Sequence, residues 1–326
     1  MSEKQFHSLK LNDYDIGDTV GILPLGRLKT ARSRRTNELI ILKILIKSQI
    51  IKSNQKEHIS NELNILPKLS HPSIISFLGS NHDEKYIYLA FEFVVGGDLF
   101  TLLRIENKLS LEKAQFYAGQ IVFVLEYLQS KNIIFRNLKP ENIVINKNGY
   151  IKIIDFGLSK EIKDRTYTMC GTPGYLAPEI ILNKGYGLSV DWWAFGVLLY
   201  EMICGVDPFF DEDTMKIYEN ILQIKKRKIQ FSSDFDEASR SLINHLLEPD
   251  LSKRYGNLKD GVNDIKNHAF FKSMNWDKLL RQEIEAPFIP KLKGDNELKY
   301  YNVYPDSDDK AEGFNKDDDP FIDWFN

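Results

Sequence analysis

Cysteine is nearly absent from this chain of 326 residues: Cys170 and Cys204 stand alone, at no metal-ligand spacing. That excludes a disulfide scaffold or a zinc module. No apolar run is long enough to cross a bilayer; the longest, Trp192 to Val206, is interrupted by Glu201 and reads as a buried helix. The opening MSEKQFHSLK has no apolar core of a secretory signal, and Ser2 stands where N-myristoylation needs glycine. The expectation is a cytoplasmic or nuclear protein without a membrane anchor. Internal repeats and low-complexity linkers are also missing. So is a dominant charge: 43 basic against 46 acidic residues leave −3, and no global basic field points to nucleic acid.

What is present is an ordinary globular composition, 43% hydrophobic and 27% charged, in a chain long enough for two lobes. The charge is uneven. Residues 295–326 hold ten acids against three lysines, a tail charge of −7 that leaves +4 for the rest. A solvated tail is the simpler expectation, a tail lying on a basic body the sharper one. The run Arg27–Arg35, with Arg27, Lys29, Arg32, Arg34 and Arg35, is expected to be a solvated turn.

Residues 14–47 and 72–95 read as strands, with one helix between them, since Ile59, Leu63, Leu66 and Leu69 recur at helical spacing within 55–69. After Gly96-Gly97 the pattern turns helical, over 111–130, 191–205, 214–224 and 236–247. Two short strands, Ile143–Ile145 and Tyr150–Ile154, are joined across Asn148-Gly149, a hairpin signal. The reading is an α+β chain with a strand-rich lobe, a helical lobe and a cleft near residues 91–98. From Pro287 onward the chain is expected to run over the surface and dock its terminal Phe321, Trp324 and Phe325.

The most specific signal is a set in order: Phe135-Arg136-Asn137-Leu138-Lys139-Pro140-Glu141-Asn142, then Asp155-Phe156-Gly157, then Ala177-Pro178-Glu179, downstream of a glycine-flanked strand ending in Leu42-Lys43. With this set the chain resembles the eukaryotic protein kinases. DWWAFGVLLYEM (191–202), RYGNLKDGVNDIKNH (254–268) and EAPFIPKLKG (285–294) make it similar to the AGC group. The likeness is to the catalytic subunits of cAMP-dependent protein kinase, with the cGMP-dependent kinases next, and runs from about Leu11 to the end.

The resemblance implies a bilobal fold: an extension over 1–13, a kinase domain over 14–271 (small lobe about 14–95, large lobe about 96–271) and a tail over 272–326. It implies ATP and Mg2+ as cofactors. Lys43 matches the lysine on the α- and β-phosphates, Glu62 its orienting carboxylate, Asn142 and Asp155 the magnesium ligands, and Lys139 the lysine on the transferred phosphate. Gly21, Gly26, Leu28, Ile41 and Tyr301 fall at nucleotide-contact positions. Thr168 matches the activation-loop phosphosite, with Arg136, His58 and Lys160 as its basic cradle. Asp98, Glu141 and Glu201 fall at positions that read basic substrates.

The departures gather at the reaction centre. Asn137 stands where the family has the aspartate that accepts the substrate proton, a contribution of order 10²–10⁴-fold. The glycine loop reads Gly21-Ile22-Leu23-Pro24-Leu25-Gly26, in which Leu23 adds a side chain and Pro24 removes an N–H. Ile41 and Leu28 are larger than the family's Ala and Val, and Gly174 replaces a Glu. The implied function is a kinase-fold protein impaired in transfer that binds basic substrate-like or pseudosubstrate segments, including those of a separate cyclic-nucleotide-binding regulatory subunit. The alternative is a slow Ser/Thr kinase acting in basic sequence contexts.

Overall fold

The computed structural model describes residues 9–292, 294, 297–306, 311–315 and 318–325. Its chain divides into two compact units, Met1–Ser70 with Ile75–Gly96 and Lys291–Asn326 in the first, His71–Ile74 with Gly97–Pro290 in the second.

The first unit is built on a five-stranded antiparallel sheet: β1 (Tyr14–Leu23), β2 (Gly26–Ser33), β3 (Leu39–Ile46), β4 (Phe77–His82) and β5 (Tyr86–Glu92), in the order β1-β2-β3-β5-β4. Side chains alternate across a strand, so one face carries Ala31, Ile40, Leu42, Ile44, Tyr88 and Ala90, packed on Leu9. The register pairs Gly21 with Leu28, Leu28 with Lys43 and Thr30 with Ile41, which puts Gly21, Leu28, Ile41 and Lys43 on the other face. Two helices follow β3, α1 (Lys47–Lys52) and α2 (Lys56–Ile65). Sequence periodicity points to α2 alone, and α2 gives way at Leu66 to a 3₁₀ turn where Pro67 denies the helix a donor.

The basic run is a solvated turn only at Arg34 and Arg35, which are exposed in the turn after β2. Arg27, Lys29 and Arg32 lie on β2, and the side chains of Arg27 and Lys29 are only 14% exposed. Asp306 of the tail reaches both, at 3.9 Å and 2.9 Å, and accepts a bond from Thr19 Oγ1 at 2.6 Å. Donation by Thr19 and Lys29, aided by the nearby charges, holds the Asp306 carboxyl below its ordinary range. Tail acids therefore do lie on a basic surface, against the simpler expectation. The buried Lys47 ammonium is the firmest case: it donates to the Asp319 carboxylate, to Asp83 O at 2.6 Å and meets His82 Nδ1 at 3.0 Å. Phe321 is fully buried beside it, edge-on to Trp324, and Phe325 stacks on His82 with ring centres 4.5 Å apart. Asp295, Asp308, Asp309 and Asp317 lie outside the described residues.

The second unit is helical. It holds α3 (Leu99–Glu106), α4 (Leu111–Ser130), α5 (Pro178–Ile181), α6 (Ser189–Cys204), α7 (Thr214–Leu222), α8 (Ile224–Arg227) and α9 (Glu237–Leu246). Strands β6 (Ile133–Ile134) and β9 (Lys160–Glu161) form one small sheet, β7 (Ile143–Ile145) and β8 (Ile151–Ile153) another. Helix α6 packs against α4 and α9 and is buried on nearly every side, as its largely apolar sequence requires. The β7–β8 turn uses Gly149 at φ 81°, where a Cβ would fall 2.2 Å from Phe288 O.

Candidate functional site

In the second unit, buried Asp191 at the start of α6 fixes the loop that bears the sequence motif. Its two carboxylate oxygens accept from Phe135 N at 2.8 Å and Arg136 N at 2.9 Å. Arg136 has φ 62°, a left-handed conformation costly to a side-chain-bearing residue. The two bonds hold that strained turn in place. Burial outweighs both of them and lifts the Asp191 pKa to about 6.

Asn137 follows, 8% exposed. Its Nδ2 donates to Asp155 Oδ2 at 2.9 Å and to Asp155 O at 3.3 Å. Both partners are acceptors, so the amide orientation is dictated by chemistry. Asn142 Nδ2 donates in turn to Asn137 O at 2.8 Å. Asn137, Asn142 and Asp155 thus form one connected group. Asp155 is also left-handed, at φ 60°, while Phe156 is buried edge-on against Phe135. Lys139, half-buried, has no side-chain bond or ion pair among the described residues. The side-chain oxygens of Asn142 and Asp155 are the hard donors that suit magnesium.

In the first unit Lys43 is joined to Glu62 by two bonds, 2.7 and 2.9 Å, with Glu62 buried on α2. The strand turn after β1 is made by Pro24 and Leu25 alone, and Leu25 O accepts from Ile46 N at 2.8 Å. Gly26 closes it against β3, where a Cβ would fall 1.9 Å from Ile44 O. Tyr301 packs on Phe93 and donates to Val94 O.

Thr168 is exposed, and its carbonyl accepts from Tyr186 Oη, the same hydroxyl that receives Arg136 Nη1 at 3.1 Å. Buried Tyr186 is the link the sequence did not show. Of the other cradle residues, Lys160 pairs with Ile134 in the β6–β9 ladder, and His58 lies on α2 of the first unit, 2.5 Å from Gln55 Oε1.

The acidic positions divide. Asp98 caps α3, accepting from Thr101 N at 2.7 Å. Glu201 accepts from the buried Tyr175 hydroxyl; burial lifts its pKa to about 7, and the Asp207 and Glu141 carboxylates add to the rise. Burial also raises Asp207, against donation from Phe209 N. Asp207 carries no signal in the sequence. A Cβ on Gly174 would sit 3.1 Å from Asp207 Oδ1, so this carboxylate stands beside the position where the family's glutamate would begin. The two residues are 33 apart in sequence, and no local pattern links them.

Comparison with known proteins agrees with the resemblance. The protein kinase domain family matches residues 14–271. The mouse "cAMP-dependent protein kinase catalytic subunit PRKX" is 42% identical over 94% of this chain and 85% of its own length. The budding-yeast cAMP-dependent protein kinase type 3 is 42% identical over 96% and 78%. The Drosophila cAMP-dependent protein kinase catalytic subunit 3 is 44% identical over 91% of this chain, which spans about half (51%) of that longer protein. The chain belongs to the protein kinase family, among the catalytic domains of the cAMP-dependent Ser/Thr kinase type.

Proposed function

We propose that this chain is a kinase-fold protein strongly impaired in phosphoryl transfer that acts chiefly by holding basic, substrate-like segments. The observation that carries this reading is the bond from Asn137 Nδ2 to the Asp155 carboxylate. An aspartate at 137 would set two carboxylates against each other and free one to take a proton. The amide removes the repulsion and, with it, the base. It also occupies a lone pair on the oxygen set expected to hold magnesium.

Changes in the first unit support the same reading. Pro24 leaves the turn of the glycine loop with one donor fewer, and Leu28 and Ile41 enlarge the face that carries Lys43. ATP and Mg2+ remain the ligands that membership implies, and Lys43, Lys139, Asn142 and Asp155 are the residues that would hold them. Bound there, they would supply the transferable phosphoryl group and the charge that stabilises it. Glu141, Glu201 and Asp207 provide negative charge for a basic segment, from a substrate, a pseudosubstrate or a separate regulatory subunit that binds cyclic nucleotide.

A second reading, a slow Ser/Thr kinase, draws on the intact Lys43–Glu62 pair. One assay separates them. With Thr168 confirmed phosphorylated, the chain is expected to label a basic serine peptide barely above background, and magnesium–ATP to raise Tm only slightly. Asn137→Asp is expected to raise the rate by about 10- to 100-fold, below a base's full worth, because the loop and face changes remain. Turnover comparable to intact relatives in the unaltered chain would overturn the proposal.

A further inference from the structure

The turn between β2 and β3 carries the one place in the chain where a hydroxyl follows two arginines, Arg34-Arg35-Thr36, with Arg32 a little upstream. Residues 34–38 are exposed throughout. A few bonds close the turn: Ser33 N to Glu38 O at 2.9 Å, Asn37 N to Ser33 O at 2.8 Å and Thr36 N to Ser33 Oγ at 3.2 Å. Bonds at an exposed hairpin tip, with no buried side chain behind them, open locally at small cost.

The cations of the turn are only partly answered. Arg34 meets Asp15 at 2.8 Å, with both side chains more than half exposed, and Arg32 Nη1 donates to Asn37 O at 2.9 Å. Arg35 has no side-chain bond or ion pair among the described residues. Thr36 Oγ1 donates to Glu38 Oε2 at 2.9 Å, itself an exposed contact. Other hydroxyls that follow a cation lack one of these features. Thr30 follows Lys29 and Thr166 follows Arg165, but each is only 4% exposed. Ser53 is exposed behind Lys52, yet no arginine stands in the ten residues before it.

We propose that Thr36 is a phosphorylation site for a separate Ser/Thr kinase, one whose groove carries carboxylates. The guanidiniums at 34 and 35 offer the planar donor pairs that carboxylates grip in two-pronged bonds, and the hydroxyl follows at once. The step takes the γ-phosphoryl group of magnesium–ATP. The bond from the γ-phosphorus to the β–γ bridging oxygen breaks, the Oγ1–phosphorus bond forms, the hydroxyl proton passes to the enzyme's base and ADP leaves. The product brings roughly two negative charges to the turn, which gives Arg35 a counter-charge. It also ends the bond to Glu38, because the esterified oxygen no longer donates.

The test incubates the full chain with a catalytic subunit of cAMP-dependent protein kinase, magnesium and ATP, and reads each site by mass spectrometry. Phosphate is expected on Thr36 in most chains and on Ser53 in none. Arg34→Ala/Arg35→Ala is expected to slow labelling of Thr36 at least about tenfold. Arg34→Lys/Arg35→Lys keeps the charge but not the fork and should slow it severalfold. Thr36→Val should leave the segment 32–38 unmodified. Thermal melts check folding, and if the alanine variant is unfolded the lysine variant decides the matter. The proposal is overturned if Thr36 stays unmodified, if Ser53 is labelled as fast, if the arginine variants are labelled at an unchanged rate, or if Ser33 takes the phosphate in Thr36→Val. Equally fast labelling of Thr36 with no kinase added would overturn it too, by placing the reaction on this chain. That outcome alone would also contradict the reading of impaired transfer; the others leave that reading standing.

Discussion

Two sets of buried charge in the helical unit face opposite problems. Glu179 and Arg254 bury one charge of each sign. The guanidinium grips the carboxylate at 2.6 and 2.9 Å, gives two further donors to Glu248 O and Ser189 O, and lies 5.1 Å over the Trp193 ring. Every charge is answered from within. Around Tyr175, by contrast, Glu201, Asp207 and Glu141 bring carboxylates together, with the charge of Arg104 acting against the rise at Glu201. The first arrangement is complete as it stands and frames the unit. The second has no such answering cation close by among the described residues, and the basic segment proposed above would supply one from outside.

The sharpest way to break the comparison is to cut the complete set. Glu179→Ala leaves a guanidinium buried without its counter-charge, so stability is expected to fall by about 3–5 kcal/mol. Urea denaturation would show it as a lower midpoint at unchanged slope. If the midpoint barely moved, the pair would not be the frame described here. The tail supplies a parallel case in the other unit. Lys47→Met strands the Asp319 carboxylate beside Phe321, and about 2–3 kcal/mol is expected to go. Limited proteolysis should then cut the chain between 311 and 325 faster than in the unaltered protein; an unchanged cleavage pattern would mean the tail holds on by its aromatic rings alone.

How much of the fold and the site is legible in the sequence follows the range of each interaction. Helix α4 occurs over 111–130 as its periodicity predicts, because a long amphipathic pattern speaks for itself. The Asn148-Gly149 turn is equally local. Helices α1 and α3 escape a reading of the sequence: six and eight residues give too few turns for a period to show. The first half of the basic run misleads because a string of cations looks solvated, whereas the acid partner of Arg27 and Lys29, Asp306, lies 277 residues beyond Lys29. The motif residues stand out by their spacing. What they do to one another, Asn137 bonding Asp155 or Tyr186 joining Arg136 to Thr168, depends on the fold of the loop and cannot be counted off the chain. Asp207 illustrates the same limit, since its neighbour Gly174 meets it only in space.

The incomplete set is tested most finely by pH. In the folded chain Glu201 holds its proton up to about pH 7, whereas unfolded it would lose it near the ordinary value of 4.5. Between those values the folded state binds more protons than the unfolded one, so this group makes stability fall as pH rises. Glu201→Gln removes that contribution. The variant is expected to lose less stability between pH 5 and pH 8 than the unaltered protein, by about 1–2 kcal/mol, measured by urea denaturation at each pH. A basic peptide should do from outside what the substitution does from within: by favouring the charged carboxylate it should bind more tightly at pH 8 than at pH 5.5, and that gain should shrink in Glu201→Gln. Asp207→Asn should weaken the peptide a few-fold at pH 8 while leaving the Glu179–Arg254 frame untouched. Should both variants show the same pH profile as the unaltered chain, the carboxylates around Tyr175 would be ordinary buried acids, and the contrast with Glu179 and Arg254 would reduce to a difference in burial.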